Sequence, residues 1–248
     1  MHNLGHTRSA RRADYALLTP DTFVRAPLPG MKRCTAVLHA GPALGAAFTQ
    51  YTAELESGGE LGTPHGQRFM YVLEGTITVE TANRKSRLDS LGFAFLPEGT
   101  AHNVAAATAS RVAVIEKIYR PLESVKSPEW IVSSEDSVAS APLGGDPNLQ
   151  VKCLLPDNPA FDFAVNTMVY QPGAALTMVE MHVMEHGLLM LEGGGIYRLS
   201  DSWYPVRAGD FIWMAPWCPQ WFGAIGNVPA KYLIYKDWNR HPLGTKAR

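Results

Sequence analysis

Between Gly173 and Gly193 the chain reads GAALTMVEMHVMEHGLLMLEG, which sets Glu180, His182 and His186 in the spacing E-x-H-x3-H inside a stretch that otherwise predicts buried strand. Two imidazoles and one carboxylate leave coordination positions open, which suits a divalent first-row metal that does chemistry. A closed structural zinc site would need four ligands and usually thiolates. Downstream, GDFIWMAP from Gly209 to Pro216 leads to Gln220, whose amide oxygen is the expected fourth ligand, with Trp217 and Trp221 nearby. Strand alternation puts Glu180 and His182 on one face, directed into a barrel, while Met181 and Val183 face away. His186 then enters from the next strand after a turn at Met184 and Glu185, and Gln220 from a third. A strand histidine alone is more often core or surface than ligand; three donors in this frame reverse that weighting. Carboxylate, imidazole and neutral amide without thiolate favour Mn(II) or Fe(II) over Zn(II).

Two further residues carry chemistry. Lys236, in YLIYKDWNR, follows an apolar strand into the mouth of the expected barrel, where desolvation would lower its pKa; it is the candidate for binding a carboxylate or moving a proton. Tyr232, four residues earlier on the same strand face, can donate a hydrogen bond to a carbonyl, although an aromatic in a barrel strand usually packs. Trp203, Trp213, Trp217, Trp221 and Trp238 crowd the same half and read as walls of a small pocket rather than a sugar platform.

The elements that must hold these groups come in two copies. Leu73-Glu74-Gly75 recurs as Leu191-Glu192-Gly193, and Gly92 as Gly209, 118 and 117 residues later. Each copy has short alternating or apolar runs, such as MYVLEGTITVE and LLMLEGGGIYRLS, separated by Gly, Pro and Asn turns. The expected fold class is therefore all-β, a sandwich or barrel of antiparallel strands in each half. The LEG steps are expected as tight turns between paired strands, with glycine at positive φ. Residues 1–34 form a Pro-punctuated arm wrapping the first barrel or a neighbouring subunit, 35–124 the first barrel, 125–148 a linker rich in Ser, Pro, Gly and Asp, and 149–248 the second barrel. In the first copy only His65, Glu74 and His102 remain near motif positions, so that barrel is expected to lack a working metal site.

With 248 residues and a formal net charge of −1, the chain can bury a sizeable core and carries no basic block for nucleic acid or an anionic membrane. A small polar substrate fits better. No apolar signal region or long apolar run is evident, so a cytoplasmic protein is expected. Cys34, Cys153 and Cys218 are odd in number and scattered, and are expected as buried, reduced thiols. Edge strands of such sheets need covering, which favours a homo-oligomer.

The motif residues resemble the cupin superfamily: Gly173, Glu180, His182, His186 and Gly193 fit its first motif with the outer His and the Glu exchanged. Gly209, Pro216 and Gln220 fit its second motif, with Gln where His is usual. The Glu, His, His, Gln set is similar to that of the bicupin (S)-ureidoglycine aminohydrolases of allantoin and purine catabolism, and the likeness runs from DYALLTPDTFV onward. The resemblance implies two tandem jelly-roll barrels, manganese on Glu180, His182, His186 and Gln220, and substrate contacts at Glu180, Tyr232 and Lys236. It implies hydrolytic replacement of the amine of (S)-ureidoglycine by hydroxyl, with Glu180 and Lys236 as catalytic candidates, and a first barrel that does no catalysis. Two other functions stay compatible with the residues: an Fe(II)-dependent bicupin dioxygenase, and a non-catalytic metal-stabilised binding or storage protein.

Overall fold

The computed structural model of the chain describes residues 6–241. Among these residues the only helical pieces are four short 3-10 turns, and the rest is antiparallel strand and loop. No helix is long and apolar enough to cross a membrane. The chain divides into two compact units. One runs from Val24 to Val138; the other joins the segment up to Phe23 to everything from Ala139 onward. Each is a jelly-roll, as the alternating strands predict.

In the first unit the strands form one ten-stranded sheet curled around an apolar interior. Alternation supplies that interior: Tyr51, Ala53 and Leu55 from the strand Thr49–Glu60, Met70 and Val72 from Gln67–Glu74, Val112 and Val114 from Ser110–Lys117. In the second unit an eight-stranded sheet faces a three-stranded one. The central strands of the larger sheet are Phe163–Tyr170, Ala230–Asp237, His186–Glu192 and Phe211–Met214; the smaller sheet is Ser202–Arg207, Gly194–Leu199 and Gln220–Ala224. Between them lie Met168, Tyr170, Leu188, Met190, Tyr197, Leu199, Phe222, Tyr232 and Ile234.

Four expectations are corrected here. The arm is divided, and its first part does not wrap the first barrel: Tyr15–Leu18 pairs with Phe211–Met214 as a strand of the second unit. Arg8 pins it with two N–H groups on the fully buried Asp210 carboxylate, at 2.5 and 2.8 Å, a bidentate pair that a motif aspartate beside Gly209 makes possible. Arg25–Ala26 and Lys32–Ala40, by contrast, belong to the first unit's sheet. The expected linker contains the unit boundary, but it is not free chain: Ile131–Ser134 pairs with Gly92–Leu96, and Ser140–Pro142 with Leu149–Cys153. The LEG steps do need positive φ, at 81° for Gly75 and 61° for Gly193. Yet the strands they join are not paired with each other. Gly193 is the corner where the chain leaves the large sheet for the small one, and a Cβ there would stand 2.4 Å from the Pro229 carbonyl oxygen. Of the thiols, Cys34 and Cys218 are buried and free as expected, but Cys153 is exposed. Burial pushes the Cys218 thiol up to about 12 and that of Cys34 to about 11, which leaves both unreactive.

Candidate functional site

The site lies at one end of the second unit's interior, and strand register builds most of it. His186 opens the strand His186–Glu192 and stands directly opposite Lys236 on Ala230–Asp237; Met190 stands opposite Tyr232. Because Tyr232 and Ile234 face the core, period-two alternation turns Lys236 the same way. Gln220 begins a strand of the small sheet and is 3% exposed.

Glu180 and His182 depart from expectation. Neither lies in a regular strand. Two isolated bridges, Ala175 to Gly223 and Glu180 to Gln220, tie this segment to Gln220–Ala224. Five residue steps on one side of those bridges therefore oppose three on the other, so the chain bulges outward, exposing Met178 and Val179. Glu180 and Gln220 exchange both backbone hydrogen bonds, at 2.8 and 2.9 Å, which fixes Glu180 beside Gln220. The His182 carbonyl accepts from the Trp217 N–H at 2.8 Å, and Trp217 holds φ at 68° to make that contact. Two loops, rather than the expected strand, thus place the two donors.

The side chains nonetheless come together. His182 Nε2 lies 3.3 Å from His186 Nε2, 3.1 Å from the Gln220 amide nitrogen and 3.8 Å from Glu180 Oε2. His186 is buried, and burial, with His182 and Lys236 adding to it, drives its pKa well below the usual imidazole range, so the ring is neutral. Its Nδ1 is 3.3 Å from the Tyr235 carbonyl oxygen. That partner accepts only, so the ring proton sits on Nδ1 and Nε2 turns a lone pair to the centre. Tyr197, a buried hydroxyl that burial keeps protonated, donates to Gln220 Oε1 at 3.0 Å. His186 Nε2 and the Glu180 carboxylate bring an excess of lone pairs to this centre, while Gln220 turns its amide nitrogen to His182 and its oxygen to Tyr197, so that exchanging the two ends of the amide brings the oxygen inward. A cation relieves that excess, and the donor set fits a hard or borderline divalent ion. Among the described residues no three His, Cys, Asp or Glu side chains stand ready-grouped around one point. Glu180 is the outlying member, with its side chain 39% exposed.

Around this centre Tyr232 is buried, its hydroxyl 2.7 Å from that of Tyr170, and burial holds it protonated. Burial lowers the pKa of Lys236, opposed by Cys153, Glu180 and Asp157. Sequence reasoning missed Tyr170, Tyr197 and Asn166, although each falls on the inward register of its strand.

The first unit answers the second position by position. Met70 opposite Val114 corresponds to Leu188 opposite Ile234, so Arg68 opposite Glu116 takes the place of His186 opposite Lys236. Arg68 is buried, and its Nε and Nη2 reach Glu116 Oε1 at 2.9 and 2.7 Å, Nη2 reaches the Gly62 carbonyl at 2.6 Å and Nη1 lies 3.1 Å from His102 Nε2. A guanidinium thus fills the spot beside the remaining histidine. Glu74 pairs instead with exposed Arg111 at 2.6 Å, and His65 is exposed.

The cupin domain family matches residues 166–235. The (S)-ureidoglycine aminohydrolase of Arabidopsis thaliana is 40% identical over 96% of this chain and 80% of its own length. That of Escherichia coli K12 is 31% identical over 96% of this chain and 93% of its own. The crystal structure of the E. coli protein Ylba superposes with a TM-score of 0.84 at 29% identity, over 96% of this chain and 97% of that one. The all-β tandem jelly-roll agrees with these matches, and the chain belongs to the (S)-ureidoglycine aminohydrolase family of bicupins.

Proposed function

We propose that this chain is an Mn(II)-dependent (S)-ureidoglycine aminohydrolase, which replaces the amine of (S)-ureidoglycine with hydroxyl, releasing ammonia and (S)-ureidoglycolate. The observation that carries this reading is the convergence of the Glu180, His182, His186 and Gln220 side chains, with the His186 ring held by the Tyr235 carbonyl, within a relative of curated aminohydrolases. These four residues would hold the ion, and the mixed oxygen and nitrogen donor set with no thiolate supports manganese. When bound, the ion supplies a Lewis acid and a template for the substrate's amine and carboxylate.

The remaining work falls to the chain. The Lys236 ammonium binds the substrate carboxylate, and the Tyr232 hydroxyl donates to the ureido carbonyl oxygen. Glu180, reachable from solvent, takes the proton from the incoming water at Oε2. The water's oxygen bonds to the central carbon as the carbon–amine bond breaks, and Glu180 passes the proton it took from the water to the departing nitrogen, which leaves as ammonia. The apolar floor of Leu188, Phe222 and Ile234 keeps other water from the reacting carbon. The first barrel, with Arg68 where a ligand would stand, is structural. Glu180→Gln tests the acid–base role: retained metal with turnover lost by about a hundred-fold supports it, in line with a single general base, and retained turnover with metal bound removes Glu180 as the base.

A further inference from the structure

Lys236 has unusual company for a largely buried cation. Among the described residues no carboxylate lies within ion-pair distance of it. Its Nζ lies instead over the Trp238 ring, 5.4 Å from the centroid, and 3.0 Å from the end of the Asn166 amide that the hydrogen-bond pattern assigns as the oxygen. In that orientation the Asn166 amide nitrogen donates to the Val165 carbonyl at 3.0 Å, so both ends of the amide are satisfied and its oxygen cannot turn away without losing a bond. Asn166 is 5% exposed and stands on the strand Phe163–Tyr170, one diagonal step from Lys236 across the ladder. The nearby Asp157 carboxylate is engaged elsewhere, accepting from Trp238 Nε1 at 2.7 Å. An amide oxygen and an indole face solvate an ammonium without neutralising it.

We propose that Asn166 is a positioning residue that holds the Lys236 ammonium in place with its charge uncancelled, and so sets the site's preference for an anionic over a neutral substrate. An aspartate at 166 would fill the same volume but form an ion pair and spend the charge internally. A leucine would leave the ammonium without its acceptor. The proposal rests on the reading that Lys236 meets the substrate carboxylate.

The test uses the manganese-loaded enzyme and two competitive probes, N-carbamoylglycine and its neutral carboxamide. Asn166→Asp and Asn166→Leu are each expected to weaken N-carbamoylglycine binding by about ten-fold, the scale of one charge-assisted hydrogen bond, with little change for the carboxamide. KM for ureidoglycine rises with the same ratio and kcat falls less. Asn166→Ser, which keeps an acceptor, restores most of the discrimination and guards against misfolding of the other two. Equal weakening of both probes would show a merely structural role and overturn the proposal, as would unchanged N-carbamoylglycine binding in Asn166→Asp and Asn166→Leu. Lys236→Met in parallel separates the two failures: if it too leaves the carboxylate preference intact, the Lys236 reading fails; if it abolishes the preference while the Asn166 variants do not, only Asn166 is misassigned.

Discussion

The Arg68–Glu116 pair of the first barrel gives a prediction whose size follows from its contacts. Arg68 is 2% exposed and the Glu116 side chain 17%, and the pair is joined by two short N–H···O bonds to one carboxylate oxygen. Arg68→Met removes both of these and also strips the Gly62 carbonyl and His102 Nε2 of their donor. What remains for Glu116 is the Tyr51 hydroxyl at 2.9 Å and a little solvent. Removing one partner of a buried pair costs about 3–5 kcal/mol. The surviving Tyr51 bond and partial exposure of Glu116 put the expected loss near the lower end, at about 3 kcal/mol. Glu116→Leu leaves the guanidinium uncompensated and costs a similar amount. The double variant Arg68→Met/Glu116→Leu leaves no buried charge and fills the space with apolar atoms, so it should cost less than either single change. Urea unfolding, read by hydrogen exchange in the strands Gln67–Glu74 and Ser110–Lys117, measures all three. Single changes that cost under about 1 kcal/mol, or a double whose cost equals the sum of the singles, would refute the pairing as a coupled buried unit.

Other outcomes follow from the same geometry. Metal analysis should return one ion per chain, because Arg68 holds a fixed positive charge beside His102 in the first barrel, and His186→Ala should lose that ion and the turnover together. Tyr197→Phe removes the hydroxyl that holds the Gln220 amide; metal affinity, measured by competition with a chelator, should weaken by about 10–100-fold with the fold intact. His39 is buried and hydrogen-bonded to Thr52 at 2.8 Å, and burial, with Arg111 adding to it, lowers its pKa to about 3. The unfolded chain takes a proton there below its ordinary imidazole value while the folded chain does not, so stability is full above about pH 6.5 and falls as pH drops toward 3. The slope from this one group is about 1.4 kcal/mol per pH unit. Denaturation midpoints at pH 7 and pH 5 should show His39→Gln losing less on acidification than the parent, and parallel losses would count against it.

Much of this arrangement is legible in residue order, and the exceptions have physical causes. The alternation of MYVLEGTITVE and LLMLEGGGIYRLS suffices for two jelly-rolls, because a one-residue slip would turn every apolar side chain to solvent. The register of YLIYKDWNR puts Tyr232 and Lys236 on one inward face, and the structure has them so. The local conformation of Glu180 and His182 was not legible, since a two-residue bulge against Gln220–Ala224 depends on partners 40 residues away in the chain and roughly preserves the convergence that strand alternation would also produce. Tyr15–Leu18 reads only as part of a Pro-punctuated arm; its pairing with Phe211–Met214 and the Arg8–Asp210 contact make it a strand of the second unit. Arg68 was within reach. It stands 118 residues before His186, the offset of the LEG repeat, and aligning the copies there would have shown a cation in a ligand's place.

The central claim is tested most directly by ammonia release from freshly generated (S)-ureidoglycine, comparing metal-stripped enzyme, enzyme reloaded with Mn(II), and a reloaded Gln220→Ala variant. Turnover that is absent after stripping, returns with Mn(II), yields only the (S)-ureidoglycolate enantiomer and is much reduced in Gln220→Ala is the expected result. Ammonia release no faster than the spontaneous reaction, from protein whose metal content is confirmed, would contradict it.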